Sequence, residues 1–135
     1  MLCLPVMKRV RHPDRLGLHL RVVLGAEIAL GPGKADLLDG IAATGSIAAA
    51  GRRMGMSYKR AWTLVEAMNL RFAAPLVDTA KGGAHGGGAA LTPLGQRMLR
   101  AYRTLEAAAA TAGAAALEEM RQALPAPPDP PAAPE

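Results

Sequence analysis

The sequence predicts a mostly α protein with a small β component, an α+β fold. Three observations predict it. Half of the residues are hydrophobic but only 3% are aromatic, so the core must be built from Ala, Leu, Val, Ile and Met, which favours close-packed helices over a β-sandwich. Apolar residues recur at helical spacing behind good N-cap residues at Ser46, Ser57 and Thr92. The strand-like runs are short.

Leu18, Leu20, Val22 and Leu24 alternate, the pattern of a half-buried strand over 18–24, and Ala26 to Leu30 reads as a second short strand. Gly31-Pro32-Gly33 punctuates the chain, and Pro32 fits a helix start because its missing N–H is not needed there. The helix runs to about Ala43, with Leu37, Leu38 and Ile41 on one face and Gly45 at its end. Ser46 caps a short helix from Ile47 to Met54, which Gly55 breaks. Ser57 caps a longer helix to about Phe72, in which Ala61, Leu64, Val65, Met68 and Phe72 form one apolar stripe while Lys59, Thr63 and Glu66 lie near the opposite face. Residues 75–79 and 89–92 read as two strands around the glycine-rich segment Lys81 to Gly88. Thr92-Pro93 opens a last helix to about Leu124, weakened by about 1 kcal/mol at Gly113. The organisation is therefore a flexible arm over 1–16, a folded domain over 17–124 and a disordered Pro/Ala-rich tail over 125–135.

Composition narrows the function classes. A lone cysteine, Cys3, excludes a disulfide framework and a multi-cysteine metal site. No apolar run approaches the roughly 20 residues needed to span a membrane. The N-terminus has no charged region ahead of its short apolar stretch, so no signal peptide is read and a cytoplasmic location is expected. His12, His19 and His85 are scattered without a carboxylate or cysteine cluster, so no catalytic constellation, metal site or cofactor is expected, and the chain does not read as an enzyme.

The formal net charge is +5, and its distribution is uneven. Residues 46–72 carry Arg52, Arg53, Lys59, Arg60 and Arg71 against Glu66 alone. Lys81, Arg97, Arg100 and Arg103 follow with no acid among them. From Thr104 the balance reverses, with Glu106, Glu118, Glu119, Asp129 and Glu135 facing Arg121. A basic middle and an acidic end fit one surface turned to a polyanion and one turned away.

Residues 45–69 hold two capped helices joined by a tight turn at Gly55-Met56, a helix-turn-helix arrangement. In such a unit the second helix offers its N-terminal residues to base edges in the major groove. Here those are Tyr58, Lys59, Arg60, Trp62 and Thr63, while Ser46 and Ser57 place helix N-termini where phosphates would lie. A plain helical hairpin with a polar outer face reads equally well from the pattern alone, and Trp62, on the flank of the stripe, fits a partly buried role. The glycine-rich segment is not a phosphate-binding P-loop, because Lys81 precedes the glycines and no Gly-Lys-Ser/Thr follows; Gly33-Lys34 fails too, with Ala35 in place of the hydroxyl residue. As a wing it gains meaning: its glycines let backbone lie close to a sugar–phosphate chain while Lys81 and His85 reach phosphate or minor groove.

The stretch Gly45 to Asn69 closely resembles the helix-turn-helix of the ModE family of molybdenum-responsive regulators, as do the glycine wing from Lys81 to Ala89 and Leu91-Thr92-Pro93-Leu94-Gly95-Gln96-Arg97. The resemblance covers about residues 18–106. Ser57-Tyr58-Lys59-Arg60-Ala61-Trp62 with the wing is specific; the helix-turn-helix pattern alone is shared with LysR-type regulators. The resemblance implies a winged helix-turn-helix domain that dimerises and binds double-stranded operator DNA. Full-length members also carry a C-terminal pair of molybdate-binding subdomains; the Pro/Ala tail stands in their place, so the sequence reads as a short form. The expected partners are DNA and a second copy, with genes of molybdenum uptake or molybdoenzymes as targets. A partner that heterodimerises with a full-length relative is the second reading, and a small oxyanion-binding protein using the wing glycines is the third. The long C-terminal helix is the expected dimer interface, through a seam of Leu94, Met98, Tyr102, Leu105, Ala109, Ala112 and Ala116 that a small domain cannot cover by itself.

Overall fold

The computed structural model describes residues 16–27, 29–80 and 88–126. The elements follow in the order β1 (Val22–Val23), β2 (Ala29–Leu30), α1 (Pro32–Thr44), α2 (Ile47–Arg53), α3 (Tyr58–Arg71), β3 (Val77–Thr79), β4 (Ala89–Leu91), α4 (Pro93–Ala112) and α5 (Ala114–Gln122). This is the mostly helical α+β class read from the sequence. The flexible arm and the Pro/Ala tail lie outside the described residues, apart from Leu16, Pro125 and Ala126.

Local chemistry starts and stops the helices. Pro32 opens α1, and Gly45, in the left-handed region at φ 70°, closes it by donating to the Ile41 carbonyl at 2.8 Å. The Ser46, Ser57 and Thr92 hydroxyls accept from the backbone N–H groups of Ala49, Arg60 and Gly95, capping α2, α3 and α4. Gly55, at φ 68°, makes the turn between α2 and α3.

The core sits where α1, α2 and α3 meet. Leu37, Leu38 and Ile41 are fully buried, joined by Ile47, Ala50, Ala61, Val65 and Met68. Small residues bring the helices close: a Cβ on Gly40 would stand 2.9 Å from the Ala50 Cβ, and one on Gly51 would stand 3.0 Å from that of Ala61. A Cβ at Gly40 would force Ala50 to shift, and one at Gly51 would be tight against Ala61.

The two hairpins are antiparallel, with Val22 opposite Leu30, and with Val77, Asp78 and Thr79 opposite Leu91, Ala90 and Ala89. The first is shorter than the alternation over 18–24 predicts. The Leu20 carbonyl accepts a hydrogen bond from the Tyr102 hydroxyl at 2.7 Å instead of a strand partner, and Leu18 and Leu24 stay exposed. The last helix also departs from expectation. It divides at Gly113 (φ −93°, ψ 2°) into α4 and α5, although hydrogen bonds from Gly113 to Ala109 and from Leu117 to Gly113 continue across the junction. It ends at Gln122 rather than Leu124.

Arg103 fastens α4 to α1. Its guanidinium pairs with Asp36 and Asp39 on α1 and with Glu106 one turn along its own helix. Burial disfavours the charge, but these hydrogen bonds outweigh it and hold the pKa above the ordinary arginine value. Arg71 is paired as well, with Glu27. Both arginines had counted toward the basic surface; their charges are spent on carboxylates of the chain itself.

Candidate nucleic-acid interface

The turn at Gly55 fixes how α3 leaves α2. The Gly55 and Met56 N–H groups donate to the Arg52 and Gly51 carbonyls, and the Ser57 cap follows directly. Ala61, Val65 and Met68 then bury one side of α3, with Leu64 and Phe72 half-buried beside them. That burial turns Tyr58, Lys59, Arg60 and Thr63 to the surface, where all four are exposed. The Thr63 hydroxyl donates to the Lys59 carbonyl at 2.8 Å, which leaves its oxygen and methyl to meet a ligand. Ser46 and Ser57 are engaged through their side chains as caps of α2 and α3.

Trp62 behaves as its flank position implies. It packs against the core, half-buried, with Tyr58 against it edge to face at 6.0 Å between ring centroids. Its indole N–H is buried and has no hydrogen-bond partner among the described residues. The ring forms one wall of a hollow of about 500 Å³ between α3, the start of α2 and the base of the β3–β4 hairpin, lined also by Ser46, Tyr58, Thr79 and Gly88. Lys81 and His85, the wing residues singled out in the sequence, lie outside the described residues.

One residue that the sequence analysis did not single out holds this arrangement together. Asn69, near the end of α3, accepts through Oδ1 from the N–H groups of Leu76 (2.9 Å) and Val77 (3.1 Å) and donates through Nδ2 to the Val77 carbonyl (3.0 Å). It thereby sets the start of β3 relative to α3. Thr92 supports the same corner by donating to the Pro75 carbonyl at 2.7 Å, and Gly95 lets α4 pass against Leu76. An asparagine late in an apolar-striped helix is a weak signal, and only its partners give it meaning.

The seam expected on the last helix divides. Tyr102, 1% exposed, is taken up by the protein's own core together with Leu99, and burial followed by the nearby Glu106 charge raises its phenol pKa. Met98 and Leu94 are half-buried against that core. Leu105 (50% exposed), Ala112 and Ala116 stand open, and Ala109 is half-buried. Met120 (71%) and Leu124 (68%) extend the exposed apolar side chains beyond the predicted seam.

Two capped helices at a glycine turn, the second with a cationic N-terminal turn, and a two-stranded hairpin beside it define a winged helix-turn-helix protein. No family model matches the chain. It is 51% identical over 81 residues to the molybdenum-pterin-binding protein MopB of Rhodobacter capsulatus, covering 60% of this chain and 30% of that protein. It is 43% identical over 79 residues to MopA of the same organism, covering 58% and 30%. It is 40% identical over 86 residues to the DNA-binding transcriptional dual regulator ModE of Escherichia coli K12, covering 64% and 33%. The chain is thus similar to ModE-type regulators and to molybdenum-pterin-binding proteins, and it spans about a third of the length of the curated relatives it matches. No helix among the described residues is long and apolar enough to cross a membrane.

Proposed function

We propose that this chain binds double-stranded DNA sequence-specifically as a homodimer and regulates transcription of molybdenum-related genes. The observation that carries the reading is the outward face of α3, where Tyr58, Lys59, Arg60 and Thr63 stand exposed in the first two turns beside a wing hairpin. Lys59 and Arg60 donate to guanine acceptors, and Thr63 meets a thymine methyl or a base-edge acceptor. Lys81 and His85 reach phosphates or the minor groove from the wing. The names of the relatives supply the molybdenum link. The second copy docks on the exposed apolar side of α4, α5 and the turn after it, through Leu105, Ala112, Ala116, Met120 and Leu124 with half-buried Ala109 among them, since the exposed side chains otherwise remain in water. Residues 17–124 act as the DNA-binding and dimerisation domain.

Gel-shift titration of the pure protein against genomic fragments, with sedimentation of the free protein, tests the reading. A dimer that shifts particular fragments at nanomolar concentration and leaves random DNA unbound is the expected result. A monomer, or a protein that shifts nothing until a full-length relative is added, overturns it.

A further inference from the structure

A second hollow, a cleft of about 970 Å³, opens between the approach to β1, the first turn of α1 and the turn that joins α2 to α3. Arg21, Lys34 and Arg60 reach it from three separate elements, while Met54, Met56 and Leu64 supply an apolar wall. No carboxylate lines it among the described residues. That sets these cations apart from Arg71 and Arg103, which are paired with carboxylates of the chain. Lys34 does have a partner, but a neutral one: its Nζ donates to the Ala29 carbonyl at 2.9 Å, which holds the ammonium in place without cancelling its charge. Arg21, exposed just ahead of β1, lines the same cleft. Burial, followed by the charges of Arg21 and Arg71, lowers the Lys34 pKa. Lys34 and Arg21 therefore repel each other across a cleft that no described carboxylate lines, and an anion entering it relieves that repulsion.

We propose that this cleft binds a phosphorylated small organic molecule, its phosphate held by Arg21, Lys34 and Arg60 and its apolar body laid on Met54, Met56 and Leu64. A phosphate monoester brings close to two negative charges and three acceptor oxygens, which suit two guanidinium forks and an ammonium. The volume exceeds what a bare phosphate fills and lies in the range of small-molecule sites, and the methionine wall gives the remainder of the ligand a surface to cover. Arg60 is also a proposed base reader in the first turn of α3, so an occupied cleft competes with DNA for that side chain. This competition rests on the DNA-binding reading; the binding itself does not.

A phosphate of the DNA backbone offers the same chemistry as a free ester, and the experiment separates the two. Phenyl phosphate and inorganic phosphate are titrated into the full-length protein at low salt without DNA, followed by backbone amide NMR. Saturable shifts are expected at Lys34, Gly55 and Met56, with phenyl phosphate binding more tightly than phosphate. The Arg21→Gln/Lys34→Gln double variant, whose spectrum also reports its fold, weakens binding at least about tenfold. Arg121→Gln, on α5 away from the cleft, leaves it unchanged. Absence of saturation overturns the proposal, as does binding that survives the double substitution or shows no preference for the phenyl ester. A double variant that weakens DNA binding while the parent ignores phenyl phosphate makes the cleft a seat for DNA phosphate, which also overturns it. Because this titration contains no DNA, its failure is distinct from a failed gel shift.

Discussion

Replacing Asn69 by alanine removes three hydrogen bonds at once, two accepted from backbone amides and one donated to a carbonyl. Leu76 and Val77, which own those amides, are fully buried, so neither N–H finds water readily once the side chain is gone. A buried amide left without a partner costs about 1–3 kcal/mol. Asn69 itself is only half-buried, so water can enter the space it vacates and the lower part of that range applies to each amide. The loss is therefore about 2–3 kcal/mol, or about 10 °C in melting temperature for a domain of this size. Asn69→Asp keeps both acceptor bonds but loses the donor and sets a carboxylate against the Val77 carbonyl, so it falls between the parent and Asn69→Ala. Urea unfolding followed by circular dichroism measures both variants, with an unchanged slope showing that only stability moved. Because Asn69 sets β3 against α3, DNA affinity falls along with stability. An Asn69→Ala protein within about 0.5 kcal/mol of the parent would refute the reasoning, since that is the range of surface substitutions with no role.

Gly95→Ala gains up to about 1 kcal/mol of helix propensity, yet its Cβ would stand 2.0 Å from the Leu76 carbonyl oxygen, which the Thr92 N–H already holds. The clash outweighs the propensity, and a net loss of about 1–3 kcal/mol in unfolding free energy is expected. Lys59→Ala and Arg60→Ala each cost about 1–3 kcal/mol of binding and relax specificity at particular base pairs in a competition assay, whereas Lys81→Ala weakens specific and random DNA alike. Leu105→Glu places a charge in the proposed dimer seam, so sedimentation shows a monomer and operator affinity drops as two half-sites uncouple; a dimer of normal affinity moves the contact elsewhere. The raised phenol pKa means that the folded protein keeps the Tyr102 proton while the unfolded chain releases it near 10.0, so stability is full below that pH and declines above it. Tyr102→Phe flattens that decline in urea melts taken across the alkaline range.

What could be read in advance is what local chemistry decides. Caps act over three residues, so Ser46, Ser57 and Thr92 were legible, and the turn glycines at 45 and 55 were legible because few other residues accept a positive φ. The stripe of α3 followed from its period. Contacts between distant parts of the chain were not legible. Helical spacing put Tyr102 on the same seam as Leu105, but its hydroxyl meets the carbonyl of Leu20, 82 residues away, and that contact draws it inward. Arg103 sat in a run of bases with no acid near it in sequence, while its partners on α1 lie 64 and 67 residues earlier. Leu99, which joins Tyr102 in the core, lies off the seam that helical spacing marks out.

The glycine–alanine crossings have a mechanical consequence. A long side chain absorbs a small displacement by changing rotamer, but a glycine backbone against an alanine methyl has no rotamer to change. Gly40 on Ala50 and Gly51 on Ala61 therefore transmit motion from α1 through α2 to α3 without slack, and Arg103 couples α4 to the same train. A tilt of α3 by itself would have to open these close contacts. On the proposed DNA-binding function, a signal that alters affinity without breaking these contacts is left two routes: to reposition the whole unit as a rigid lever, or to change the side chains at its tip.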